Sequence, residues 1–133
     1  MTREALREAV RERAGRRCEY CRLPDVLPQT LRFHLEHVVA RQHGGATVAE
    51  NLAWSCQRCN ERKGPNLTGV DPDTSAVVRL FHPRQDQWEN HFALHGLEVL
   101  ALTAVGRATV WLLDVNSAER LRWREALRKY GLF

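Results

Sequence analysis

The sequence predicts a mixed helix-and-strand (α+β) fold, and three observations carry that expectation. A charged stretch with helical periodicity opens the chain. An alternating apolar–polar stretch follows over Leu31 to Val39. Two Cys-x-x-Cys pairs, Cys18–Cys21 and Cys56–Cys59, bracket that stretch. At 133 residues the chain fits one domain with a modest core, read as a cysteine-framed unit over 1–69 with an extension over 70–133 packed on it.

Residues 2–15 carry Ala5, Leu6, Ala9, Val10 and Ala14 at helical spacing, with Thr2 as N-cap and Gly15 as the stop. Arg3, Arg7 and Arg11 alternate with Glu4, Glu8 and Glu12, which suits a solvated helix with i,i+4 pairs. Arg16 and Arg17 adjoin Cys18 and are read either as offsetting thiolate charge or as reaching phosphate. Leu23-Pro-Asp and Leu27-Pro28 are turn chemistry. Leu31, Phe33 and Leu35 then mark one face of a strand, and Arg32, His34 and Glu36 the other. Regular alternation sends Glu36 and His37 to opposite faces, so their convergence needs a bend or strand end at His37.

Ala40 to Glu50 reads as a loop with Gly44-Gly45 supplying unusual backbone angles. Leu52-Ala-Trp54 reads as a short second strand, and Cys56 to Lys63 as a helix ended by Gly64-Pro65. In the extension, Asp71 begins a turn and Ala76 to Phe81 forms a strand stopped by Pro83. Trp88 to Leu94 and Leu97 to Leu102 form a hairpin about His95-Gly96. Thr103 and Ser117 cap two final helices, to Asp114 and over Ala118 to Tyr130. Trp88, Trp111 and Trp123 are read as core or hairpin-packing residues, with stacking on a base as the alternative for an exposed one.

A Cys-x-x-Cys pair presents two thiolates to one tetrahedral ion, and two pairs complete a closed four-sulfur site that suits structural zinc. Two disulfides, or cysteines buried in a core, are the alternatives. No run of about 18 apolar residues is present, which excludes a spanning helix. The charged N-terminus, without an apolar signal segment, gives cytoplasmic residence as the expectation, and metal-bound cysteines agree with it. The formal charge of +4 falls by two once four thiolates hold a divalent ion, so net charge argues only mildly for nucleic acid. The kind of base says more: 18 of the 20 basic residues are Arg, whose planar fork pairs with phosphate at two points. Solvated ion pairs are the competing use of the same side chains.

Phe33-His-Leu-Glu-His-Val-Val39, Gly44-Gly45, Asn51-Leu52 and Cys56-x-x-Cys59-Asn60-x-x-Lys63-Gly64 together resemble the HNH endonuclease family. The resemblance implies a ββα-metal core, two strands and a helix around one catalytic divalent ion. By position it implies Glu36 as acidic metal ligand, His37 as general base, Asn51 as the brace of the loop, and Asn60 as the last motif position and second ligand. That last position is often His, and Asn is a known alternative. Carboxylate and amide oxygens fit magnesium or manganese. A neutral imidazole suits removal of a proton from water. Arg41, Arg58, Arg62 and Lys63 are the expected contacts to the DNA backbone. Leu80-Phe-x-Pro-Arg84, Trp88-x-x-His-Phe92 and Gly106 to Val110 are similar to an extension in a bacterial subset of HNH proteins. The implied activity is metal-dependent phosphodiester hydrolysis in DNA, as an endonuclease or nickase. The alternatives are a non-catalytic zinc-containing nucleic-acid-binding module, or a nuclease acting on RNA or structured DNA.

Overall fold

A computed structural model describes residues 1–26 and 32–133. The turn at Leu27-Pro28 and the start of the expected strand at Leu31 lie outside the described residues.

Helix α1 (Arg3–Arg13) begins where Thr2 Oγ1 accepts from the Ala5 amide at 3.0 Å and gives way to Gly15 at φ +66°. It turns Val10 into the core and anchors by arginine as much as by apolar contact. Arg13 donates to the carbonyls of Ala49 (2.9 Å) and Leu52 (2.6 Å), and Arg7 to that of Phe33 (3.2 Å). The Arg7 guanidinium also lies over the Trp54 ring.

Strands β1 (Phe33–His37) and β2 (Leu52–Cys56) pair antiparallel, with Glu36 opposite Ala53 and His37 opposite Leu52. β2 extends to Cys56, two residues beyond the expected end, and is buried throughout. Helix α2 (Gln57–Lys63) follows at once, with Cys56 as its N-cap and Gly64 at φ +50° as its stop. Burial along β1 does not alternate with its faces: Glu36 is buried with Phe33, while His34 and Leu35 are half-buried. A buried carboxylate needs internal partners, and two polar side chains supply them.

In the extension, β3 (Thr68–Val70) pairs with β4 (Val77–Arg79), a hairpin of which only the second strand was expected. Trp88 to Leu94 is not one strand. Helix α3 (Trp88–His91) precedes β5 (Phe92–His95), which pairs with β6 (Glu98–Ala101). The helical turn places Trp88 beside Phe92, ring centroids 5.1 Å apart, and Phe92 packs edge-on to Phe81. That aromatic cluster outweighs the strand tendency of the segment. Helices α4 (Ala104–Leu113) and α5 (Ala118–Lys129) carry the expected Thr103 and Ser117 caps. Of the three tryptophans read as packing residues, Trp111 departs, being 68% exposed.

The extension meets the cysteine-framed unit through polar anchors on buried groups. Trp88 Nε1 donates to the Tyr20 carbonyl (3.0 Å), Arg62 to the Leu112 carbonyl (2.9 Å), and α4 packs on α2. Arg124, fully buried, donates to the carbonyls of Cys21 (3.3 Å) and Val115 (2.9 Å).

Candidate metal centre and catalytic cleft

The four cysteines converge from the turn after α1 and from the β2–α2 junction. All are buried and free of disulfides, and their sulfurs lie within 4.8 Å of one another. Cys21 Sγ and Cys56 Sγ are 3.7 Å apart. A tetrahedral site with metal–sulfur distances of about 2.3 Å has edges of about 3.8 Å, so the cage has the size of one ion. In each pair the second cysteine's amide donates to the first sulfur at 3.5 Å, Cys21 to Cys18 and Cys59 to Cys56. This is the chemistry of thiolate ligands rather than of disulfides. The sulfurs' charge is answered by Arg120 of α5, which donates to Cys59 Sγ at 3.1 Å and to the Leu113 carbonyl at 2.7 Å. Burial works against the Arg120 charge, but the surrounding cysteines hold its pKa up. Arg16 and Arg17, the expected partners, are otherwise engaged: Arg16 pairs with Glu12, and Arg17 donates to the Arg22 carbonyl. Among the described residues, the cysteines are the one group of three or more His, Cys, Asp or Glu placed to share an ion.

A cleft of about 340 Å³ opens beside this frame, with Glu36, His37, Arg41, Gln42, Asn60 and Gly64 in its wall. His37 ends β1, where the strand gives way to the loop, and its Nε2 is 2.8 Å from Thr47 Oγ1. Partial burial, then the charges of Arg41 and Arg3, lower its pKa, so the imidazole is neutral at neutral pH. Asn60 reaches the same cleft from the middle of α2.

Asn51 lines the loop rather than the cleft. Its Oδ1 accepts from the Val39 amide, and its Nδ2 donates to the carbonyls of Val39 and Ala46, all at 2.9 Å. The amide thus fastens both ends of the 39–46 segment. A Cβ on Gly45 would overlap the Val39 carbonyl and come within 2.8 Å of Asn51 Nδ2. Glycine is required there by close approach, whereas Gly44 meets a different demand, a left-handed φ of +87°.

Glu36 has two partners that sequence reading missed. Tyr20, between the first two cysteines, donates to Glu36 Oε2 at 2.6 Å. Lys63 Nζ forms an ion pair with Oε1 at 2.7 Å. Burial raises the Glu36 pKa against the opposing pull of Lys63 and Tyr20. Burial beside Glu36 raises the Tyr20 pKa well above the phenol range, so it remains a donor. Lys63 is only 2% exposed and donates to the Val38 carbonyl at 2.9 Å. The expectation that Lys63 faces phosphate is therefore corrected: its charge serves a buried carboxylate. Arg58 pairs with Glu119 (2.8 Å) and Glu61 (3.4 Å), and Arg62 is tied to α4, while Arg41 is exposed at the cleft. The sequence signal for Tyr20 lay in its place inside a Cys-x-x-Cys turn. That for Lys63 lay in its position one helical turn after Asn60.

Residues 18–66 match the family model of the HNH endonuclease. Over 117 residues the chain is 26% identical to Septu protein PtuB of Bacillus thuringiensis, an alignment that covers 85% of this chain and 42% of that protein. The chain thus spans less than half the length of this relative. No solved structure matches it. Residues 18–66 carry an HNH endonuclease domain, and the four cysteines within it are positioned to bind a metal.

Proposed function

We propose that this protein is a divalent-metal-dependent endonuclease or nickase that hydrolyses phosphodiester bonds in DNA. The observation that carries the reading is the meeting of His37, Glu36, Asn60 and the exposed Arg41 in one open cleft. The four-cysteine cage holds zinc and fixes the junctions from which β2 and α2 start. The two strands and α2 then serve as a ββα-metal core.

His37 acts as general base. With Nε2 engaged by Thr47, the tautomer protonated on Nε2 leaves Nδ1 to accept the proton of the attacking water. Its lowered pKa keeps that nitrogen unprotonated at neutral pH. Asn51 holds the loop so that the His37 ring and Arg41 keep their places, and Arg41 binds a flanking phosphate oxygen. Glu36 and Asn60 present hard oxygen donors, a set that fits magnesium or manganese. When bound, such an ion would stabilise charge on the phosphate and on the departing oxygen.

The test is plasmid nicking by zinc-loaded protein freed of other divalent ions, with magnesium or manganese then added back. Cleavage that appears only with the added ion supports the reading, and its absence overturns it. The enclosed Glu36 carboxylate favours a second reading, a zinc-containing nucleic-acid-binding module without catalysis. The same assay separates the two. A panel of RNA and structured DNA addresses the remaining alternative substrates.

A further inference from the structure

The surroundings of Glu36 are not explained by its role as an oxygen donor. Its side chain is 3% exposed and that of Lys63 2% exposed, so each neutralises the other away from water. Tyr20 occupies Oε2. Oε1 lies 2.7 Å from the ammonium, which also donates to the Val38 carbonyl at 2.9 Å. Glu36 is thus neutralised inside the wall of the cleft that Asn60 also lines. An ammonium and a divalent ion are alternative ways to neutralise one buried carboxylate. Both at contact distance from the same oxygen would repel each other strongly in so dry a place.

We propose that Lys63 is a resident counter-ion of Glu36 that a divalent cation must displace, so that this ion pair sets the metal affinity of the cleft. The inference rests on the reading of the cleft as a metal-dependent nuclease site and adds a residue that opposes the metal. Lys63 is then a positioning residue, acting through Glu36. Its place in the last turn of α2 gives the displaced ammonium the Val38 carbonyl and the helix C-terminus as remaining partners.

The test uses the full chain, zinc-loaded and without nucleic acid, titrated with Mn²⁺ and followed by calorimetry and by the paramagnetic resonance of free Mn²⁺. Lys63→Met keeps the alkyl stem without the charge, and Lys63→Gln keeps a donor for Val38. Both are expected to bind Mn²⁺ at least about tenfold more tightly than the parent, since affinity is reduced by the fraction of sites in the competent state. Mn²⁺ should also raise their melting temperatures more than the parent's. Adding Glu36→Gln to Lys63→Met should remove the gain. A variant that folds only with Mn²⁺ supports the proposal, because the ion then replaces the lost charge. Unchanged or weaker affinity in both variants overturns it, as does a gain that persists in the double variant or a failure of Mn²⁺ to restore folding to either. Nicking by the parent is measured in parallel. A parent that nicks while the variants show no gain overturns the displacement alone. Variants that gain Mn²⁺ affinity beside a parent that never nicks overturn the nuclease reading alone.

Discussion

In the cysteine cage every ligand atom is buried and close to the other three, and Arg120 donates to the Cys59 sulfur. In the cleft the donors differ in exposure. Glu36 is buried and faces Tyr20 and Lys63, whereas His37 and Asn60 are half-buried at an open wall. The two places share α2, which carries Cys59 to the cage and Asn60 to the cleft. A site that only holds an ion can be closed and saturated. A site that admits substrate must keep groups open, and here the charged one is shielded by protein partners.

That comparison breaks most visibly at the cage. Cys56→Ser removes a ligand and the sulfur that caps α2. Structural zinc in small domains contributes on the order of 10 kcal/mol or more to folding. The variant should lose the cage's metal and its cooperative thermal transition, by elemental analysis and circular dichroism. A folded, zinc-free variant would remove the cage from the account.

His37→Ala should instead leave fold and zinc intact and lower turnover by about 10²–10⁴-fold, the usual worth of a positioned base. The loss belongs in the rate of the chemical step rather than in DNA affinity. In the parent, the rate should climb as His37 loses its proton and then level off. Because its pKa is lowered, that climb should lie below the ordinary histidine value, and the variant should lack it. A variant within about threefold of the parent would dismiss His37 as the base.

Asn51→Ala alters neither cage nor cleft donors but frees the loop after β1 that lines the cleft. Three hydrogen bonds are lost and Val39 is left partly unsatisfied. A stability loss of about 1–3 kcal/mol is expected, read from denaturant unfolding, together with reduced cleavage. Unchanged stability would show that the bonds to Val39 and Ala46 do not hold the loop.

The same contrast explains what was legible in the sequence. The cysteine pairs were readable because metal ligation imposes short, fixed spacings within one turn of chain. The helix caps at Thr2, Thr103 and Ser117 were readable for the same local reason. The burial of Glu36 was not, since it depends on Tyr20 and Lys63, which stand 16 and 27 positions away and meet it only after β1, α2 and the first cysteine turn pack together. Arg120 was missed for a similar reason: an arginine in a charged helix gives no sign that it will meet a sulfur 61 residues earlier. At Trp88 a local aromatic run resembled a strand, whereas the structure has a helical turn in which Trp88 meets Phe92 and donates to the Tyr20 carbonyl.

The smallest expected effect concerns the arginines, and it separates surface from scaffold. Arg41 is exposed at the cleft, whereas Arg62 is spent on the Leu112 carbonyl. If Arg41 binds phosphate, Arg41→Ala should weaken duplex DNA binding and flatten the dependence of log affinity on log salt by about 0.9, the contribution of one neutralised phosphate. Its melting temperature should match the parent's, since an exposed side chain without a structural partner adds little to stability. Arg62→Ala should do the reverse, lowering the melting temperature by loosening α2 from α4 while leaving the salt slope close to the parent's. Fluorescence anisotropy at several salt concentrations and a thermal melt on each variant decide it. Equal slopes for Arg41→Ala and the parent would remove Arg41 from the phosphate track. A flattened slope in a normally stable Arg62→Ala would return α2 to the DNA-facing side.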